Sequence, residues 1–211
     1  ITVRMLLTHT SSLRDDGGYY WGDRKAVKDG VNDRMWATNA PPGKFFQYAN
    51  FPWGVVGTLM ERASGERFDR LVKRLVLDPL KLHGGFNPAE FSPEDLGNVA
   101  TLYRKGKEDA NEKMVWDTAG PWVAQVDDYS RSAPVPRAGP DYVIGSNGTS
   151  YGPQGNIRLS AAGLGRIMRM LMNRGMLDGR RVLKPETVDL MLSRQWSHES
   201  GNGNPDFGRK N

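Results

Sequence analysis

The chain of 211 residues carries 29 Lys and Arg, 24 Asp and Glu and no cysteine, which excludes disulfides, thiolate metal sites and a cysteine nucleophile. This length suits one large domain or part of one, and no stretch approaches the roughly 18 consecutive apolar residues that a membrane-spanning helix needs. The net charge of +5 is spread over amphipathic helices, so the composition does not favour a nucleic-acid-binding surface.

The first 44 residues predict a short helix and then a turn-rich segment. Thr2 can cap a helix over residues 3–10, because a threonine hydroxyl accepts hydrogen bonds from first-turn N–H groups. Residues 14–44 contain two Asp-Gly pairs and one Pro-Gly pair, and we expect a loop there with one short helix near 24–38.

Two further helices are predicted next along the chain. Apolar residues at helical spacing predict one helix over 51–63, and Gly65 suits the left-handed position that follows a helix. A second helix is predicted over 66–77. Asp78-Pro79 should stop it, because proline disfavours helical backbone in the residue before it.

Residues 84–157 lack helical periodicity. Three short strands are predicted within them, over 98–104, 115–116 and 122–127, with a turn near Gly106. The remainder of this stretch is rich in glycine and proline. From the residues alone it is equally consistent with a functional loop and with a flexible surface insertion.

Regular structure is predicted again from Ser160, which can cap a helix over 161–174 that Gly175 ends. Pro185 can start another helix, over about 186–195. The first of these helices has an apolar stripe that we expect to be buried, with its methionines filling gaps in a core: Leu164, Ile167, Met168, Leu171 and Met172.

Residues 41–57, which read PPGKFFQYANFPWGVVG, contain the strongest candidate for a functional site. Tyr48 and Asn50 lie two positions apart, so on an extended loop their phenol and carboxamide point the same way and can face one cavity. Asn50 occupies the N-cap position of the predicted helix and Pro52 its first turn, which would fix both side chains. Taken alone, an ordinary half-buried tyrosine and an ordinary helix cap explain this pattern better.

Other polar residues give weaker signals. His9, His83 and His198 are far apart in the sequence and do not form a metal-ligating pattern. We expect a structural hydrogen bond for His9. Glu61 and Glu66 flank the end of a predicted helix and are expected to be solvated, which does not favour a paired-carboxylate glycosidase.

Several segments, taken in order, resemble the serine β-lactamase and penicillin-binding-protein-like hydrolases, in particular the class C branch with its related esterases and D-aminopeptidases. In that family a segment like LLTHTSGL precedes a PG…YxN loop, two helices joined by a Ser-Gly turn, and a PLGM-like stretch. The corresponding segments here are LLTHTSSL, PPGKFFQYAN, ASGERF and DPLKLH, followed later by GNIRLSAAGLGRIMRMLMNRG.

The resemblance implies a fold that is mainly α with a few short strands. It corresponds to the helical region of the β-lactamase/transpeptidase-like α/β fold, with the central antiparallel sheet largely missing. Residues 1–211 would then be part of a single catalytic domain, and 84–157 an irregular insertion that wraps the substrate cleft. Because most of the sheet that covers these helices in the family would be missing, part of their apolar surface would be exposed.

Two family motifs are missing from this sequence. No Ser-x-x-Lys motif is present, since the nearest segment, Ser11 to Arg14, ends in arginine. No Lys-Thr-Gly or His-x-Gly element occurs in the expected late position. We therefore expect the chain to be the middle of a longer protein and to be catalytically inert by itself.

By resemblance, Tyr48 and Asn50 are the catalytic residues of this segment. Tyr48 would take the proton of the serine nucleophile and return it to the leaving group, and Asn50 would hold the motif's lysine and the substrate's amide carbonyl. The substrate would be a β-lactam, an ester or a D-amino-acid peptide. We expect no cofactor and no metal.

The resemblance also bears on partners and compartment. It favours a periplasmic or secreted protein, and exposed helix surface would lead to homo-oligomers or to pairing with the missing segments. The alternative function is a non-catalytic relative that binds peptides or a protein partner on the same scaffold. A Ser-x-x-Lys motif in a longer sequence would favour the enzyme over the binding protein.

Overall fold

The computed structural model describes residues 1–21, 26–109, 114–130 and 132–203. Its contacts divide the chain into two compact units, one formed by residues 1–87 with 137–211 and the other by 88–136. The second unit lies entirely within the stretch for which no helical periodicity was found. Residues 24 and 25 of the helix predicted near 24–38 lie outside the described residues.

The regular elements are short. In chain order the helices are α1 (Val3–Leu7), α2 (Val27–Gly30), α3 (Phe51–Ser64), α4 (Phe68–Val72), α5 (Pro93–Gly97), α6 (Ala161–Met172) and α7 (Pro185–Leu192). A π-helical turn, Lys73–Leu77, continues α4, and 3-10 turns occupy Asp33–Met35, Pro88–Glu90 and Gly148–Tyr151. The strands are β1 (Gly84–Gly85), β2 (Leu102–Glu108), β3 (Met114–Trp116), β4 (Trp122–Val126), β5 (Arg158–Leu159), β6 (Met176–Leu177) and β7 (Arg180–Arg181).

Three of the predicted helix ends are confirmed. The Thr2 hydroxyl accepts from the N–H of Met5 at the start of α1, and the Ser160 hydroxyl accepts from the N–H of Gly163 at the start of α6, 3.0 Å away. Gly65 ends α3 with φ 70°, the left-handed conformation that glycine adopts at little cost. These signals work because each lies within one turn of the helix end that it satisfies.

Buried apolar side chains of the larger unit form three clusters. The one beneath the candidate site joins α1, α2 and the first residue of α3: Leu6, Leu13, Val27, Met35 and Phe51. The second joins the turn after α4 to α6 and β6: Leu77, Leu80, Leu82, Met170 and Leu177. The third contains Phe68, Phe86 and Tyr151.

The expected burial of the α6 stripe is wrong for three of its five residues. Met170 is 3% exposed and packs in the second cluster, whereas Leu164 is 56%, Met168 55% and Met172 80% exposed. The apolar arc of α6 is therefore wider than the surface that covers it. Residues four apart lie on one face of a helix, so the three exposed side chains form a continuous line along its outer side.

Helix α3 lies against residues 145–151. The N–H of Gly148 donates to the Thr58 hydroxyl at 2.8 Å, and a Cβ at Gly148 would lie 2.4 Å from the backbone nitrogen of Thr58. Only glycine allows this approach. Thr149 and Tyr151 are fully buried as a result.

The smaller unit is built around a three-stranded antiparallel sheet in the order β3-β2-β4. The predicted turn near Gly106 is wrong, since Gly106 pairs with Trp116 inside the ladder between β2 and β3. On the same pair of strands, the guanidinium carbon of Arg104 lies 4.5 Å from the centroid of the Trp116 ring. Two of the predicted strands correspond closely to β3 and β4, whereas the first corresponds to β2 shifted towards the C-terminus.

Candidate active site

Tyr48 and Asn50 lie on the loop that leads into α3. The Tyr48 side chain is 41% exposed, Ala49 between the two is fully buried, and Asn50 is partly buried. The Tyr48 hydroxyl donates to the Asn50 Oδ1 at 3.4 Å. The phenol and the carboxamide are therefore neighbours on an accessible surface, with the backbone between them held in the interior.

The segment after α1 holds this loop in place through backbone bonds. The carbonyl of His9 accepts from the N–H of Gln47 at 2.8 Å, and the carbonyl of Thr10 accepts from the N–H of Gly43 at 2.7 Å. His9 and Ser12 both have positive φ, 57° and 66°. Such conformations cost about 1 kcal/mol or more and persist where the surroundings fix them.

His9 packs directly against the candidate site. Its ring centroid lies 4.6 Å from that of Tyr48, and its Nδ1 accepts from the N–H of Ala49 at 3.4 Å. Burial lowers the pKa of His9, and the nearby Asp15 carboxylate partly opposes that shift. The hydrogen bond expected for His9 is thus made to the loop that carries Tyr48.

Ser11 and Ser12 are buried, and their hydroxyl groups have structural roles. The Ser12 hydroxyl donates to the carbonyl of Ala40, and the Ser11 hydroxyl accepts from the N–H of Leu13 at 3.4 Å. Both side chains are less than 10% exposed. A nucleophile must reach its substrate, so neither serine is placed to act as one.

Asn50 occupies the N-cap position of α3 as predicted, but it has helical backbone angles and its side chain makes no cap hydrogen bond. The cap comes from Asp15. Its Oδ1 accepts from the N–H of Asn50 and the N–H of Phe51, each at 2.9 Å, and its Oδ2 accepts from the Asn50 Nδ2 at 2.8 Å. A carboxylate at this position also interacts favourably with the helix dipole.

The expectation that Glu61 is solvated is also wrong. Glu61 is fully buried. Its Oε1 accepts from the N–H of Phe68 at 2.8 Å, and its Oε2 accepts from the Tyr142 hydroxyl at 2.6 Å and the N–H of Gly145 at 2.8 Å. Burial and the hydrogen bond to Glu61 raise the pKa of Tyr142 far above its usual value. Glu61 thus caps α4 and fixes the loop that packs on α3, a structural role.

Phe46, two residues before Tyr48, contacts a segment near residue 200. Phe46 stacks on Trp196, with ring centroids 4.6 Å apart, and the N–H of Phe46 donates to the carbonyl of Asn202 at 2.9 Å.

Among the described residues there is no group of three or more histidine, aspartate or glutamate side chains that could hold a metal ion. None of the helices in the described ranges combines the length and apolar character needed to cross a bilayer.

The sequence interpretation did not find Asp15. It lies 35 residues before Asn50, next to a second aspartate in a turn-rich segment, and nothing in its local pattern distinguishes it from Asp16. The only available signal was its place two residues after LLTHTSSL, a segment that the fold brings against the YxN loop.

The family model named Beta-lactamase matches residues 1–209. The chain belongs to this family. The resemblance found in the ordered segments is thereby confirmed. No curated protein matches the chain.

Two solved structures share this fold. A penicillin-binding protein from Bacillus halodurans is 19% identical, with a TM-score of 0.55 over 92% of this chain and 51% of that protein. A simvastatin synthase (LovD) variant from Aspergillus terreus is 22% identical, with a TM-score of 0.54 over 92% of this chain and 40% of that protein. At these identities the likeness shows the fold alone, and the chain spans only 40% to 51% of the length of these structures.

Proposed function

We propose that the chain is part of a serine hydrolase that acts by acyl-enzyme chemistry on a β-lactam, an ester or a D-amino-acid peptide. The observation that carries the proposal is the contact between the accessible Tyr48 phenol and the partly buried Asn50 carboxamide at the start of α3, in a chain of the Beta-lactamase family. Because the sequence has no Ser-x-x-Lys motif, the nucleophile and its lysine would lie outside residues 1–211.

In this proposal Tyr48 carries the proton in both half-reactions. The serine oxygen bonds to the substrate's acyl carbon while its proton passes to the Tyr48 phenolate, which the lysine ammonium of the motif stabilises. Tyr48 then gives the proton to the leaving oxygen or nitrogen as its bond to the acyl carbon breaks. Water attacks the acyl-enzyme in the second half-reaction, gives a proton to Tyr48, and the serine regains it.

Asn50 would position groups and would not transfer protons. A carboxamide offers one acceptor oxygen and two donor hydrogens, which suits contacts with the lysine and with the polar groups of the substrate. Ala49 between the two residues is buried, so the pair presents its polar ends without a third side chain between them.

Steady-state kinetics test this proposal. A longer protein that contains these residues and a Ser-x-x-Lys segment should hydrolyse a p-nitrophenyl ester or a chromogenic cephalosporin, whereas residues 1–211 alone should not. Tyr48→Phe should lower kcat by at least about 100-fold, the range typical of general acid–base catalysis. Tyr19→Phe is the matched control, because Tyr19 is 40% exposed and Tyr48 is 41% exposed.

Two results would contradict the proposal. Turnover by residues 1–211 alone that depends on a serine of this segment would show that the nucleophile is inside it. Equal kcat values for Tyr48→Phe and Tyr19→Phe in the longer protein would remove Tyr48 from the reaction.

A further inference from the structure

Asp15 makes four hydrogen bonds to Asn50 and Phe51 at the start of α3, and one of them reaches a side chain of the candidate site. Both of its oxygens lie 2.9 Å from the N–H of Asn50, and Oδ1 also lies 2.9 Å from the N–H of Phe51. The Asn50 Nδ2 donates to Oδ2 at 2.8 Å. One carboxylate therefore fixes the backbone and the side chain of Asn50 together.

The chemistry of these groups sets the orientation of the Asn50 amide. An ionised carboxylate only accepts hydrogen bonds, so the Asn50 nitrogen faces Asp15 and its oxygen faces away. That oxygen accepts from the Tyr48 hydroxyl at 3.4 Å. The reverse orientation would place two acceptors, the Asn50 oxygen and Asp15, against each other.

We propose that Asp15 is a positioning residue of the active site, which turns the Asn50 carboxamide so that its oxygen faces Tyr48. This inference rests on the proposed function of Tyr48 and Asn50. It adds that Asn50 presents an acceptor on the Tyr48 side. The group that binds to the Asn50 oxygen is therefore a hydrogen-bond donor, either an ammonium or an amide N–H. Only the second Nδ2 hydrogen of Asn50 is left to donate to a carbonyl of the substrate.

Asp15→Asn separates positioning from capping. An asparagine oxygen at position 15 can still accept from the N–H groups of Asn50 and Phe51, so α3 keeps its cap. Its amide nitrogen cannot accept from Asn50 and instead favours the reversed orientation. Asp15→Ala removes both functions.

The first experiment uses residues 1–211 and needs no turnover. In NMR spectra of the wild-type chain, one Asn50 side-chain N–H resonance should be displaced downfield by its bond to the carboxylate, and this displacement should be lost in Asp15→Asn and Asp15→Ala. The backbone amides of Asn50 and Phe51 should exchange about tenfold faster in Asp15→Ala only, the equivalent of one net hydrogen bond. Unchanged Asn50 side-chain resonances in Asp15→Ala would overturn the inference.

The second experiment measures kinetics in the longer protein. Asp15→Asn should lower kcat at least about tenfold while the melting temperature stays near the wild-type value, since small misplacements of catalytic groups are costly. The control is Gly65→Ala at the opposite end of α3, where φ is 70° and no atom lies within 4 Å of the added Cβ. It should lower the melting temperature and leave kcat unchanged.

The outcomes distinguish the two proposals. Wild-type kcat in a folded Asp15→Asn protein would overturn the positioning role. If the wild-type longer protein shows no turnover, the proposed function fails, whereas the NMR result still decides whether Asp15 orients Asn50.

Discussion

Helices α6 and α3 of the larger unit begin in different ways. In α6 the first-turn N–H of Gly163 is bonded by Ser160, which is three positions away. In α3 the N–H groups of Asn50 and Phe51 are bonded by Asp15, which is 35 residues from Asn50. A local cap exists as soon as the helix forms, whereas a distant cap exists only once the chain has folded.

The difference couples the candidate site to the tertiary structure. The residues that hold Tyr48 and Asn50 come from the segment after α1, through His9 and Asp15. Glu61 of α3 also joins separate parts of the chain, since it accepts from the N–H of Phe68 at the start of α4 and from the N–H of Gly145, 84 residues away. Loss of a distant carboxylate should therefore disturb more of the structure than loss of a local hydroxyl.

The largest effect is expected for Glu61→Ala. It leaves the N–H groups of Phe68 and Gly145 and the Tyr142 hydroxyl without their acceptor in the interior, and each buried unsatisfied group costs about 1–3 kcal/mol. The free energy of unfolding, measured with denaturant, should fall by about 3 kcal/mol or more.

Glu66→Gln is the control for this measurement. Glu66 accepts from Arg74, whose side chain is 58% exposed, while that of Glu66 is 29% exposed, and ion pairs at the surface contribute about 0–1 kcal/mol. Similar losses for Glu61→Ala and Glu66→Gln would show that the buried acceptor is not a major source of stability.

Ser160→Ala should have a smaller and local effect. Removal of a serine N-cap costs about 1 kcal/mol. The amide of Gly163 should exchange faster, and Asn50 and Phe51 should not change. Ser160→Asp, which keeps an acceptor at the cap, should retain wild-type stability. A loss that spreads to the residues of the candidate site would contradict the division between local and distant caps.

The same division explains how much could be predicted from the sequence. Thr2, Ser160 and Gly65 were assigned correctly because each acts on its own helix end. Asp15 was missed and Glu61 was expected to be solvated, because their partners become neighbours only in the folded chain. Sequence order and motif content were enough for the family, but the bonds that fix the Tyr48 loop depend on packing.

Burial on α6 shows a further limit of periodicity. The apolar pattern of this helix predicts which residues could be buried, but whether they are buried depends on what lies opposite. Met170 packs on the cluster that includes Leu80 and Leu177. On the outer side, Leu164, Met168 and Met172 are all more than half exposed.

The smallest effect is expected for Met172→Ala, a substitution that can be matched on the same helix. Met172 is 80% exposed, so its truncation should change the free energy of unfolding by no more than about 0.5 kcal/mol. Met170→Ala is the control, because Met170 is 3% exposed and large-to-small changes in a core cost about 2–5 kcal/mol. Equal losses in residues 1–211 would mean that the outer face of α6 is covered. A cost for Met172→Ala that appears only in a longer protein would assign that cover to residues outside this chain, because the same side chain would then lose contacts that the shorter chain cannot make.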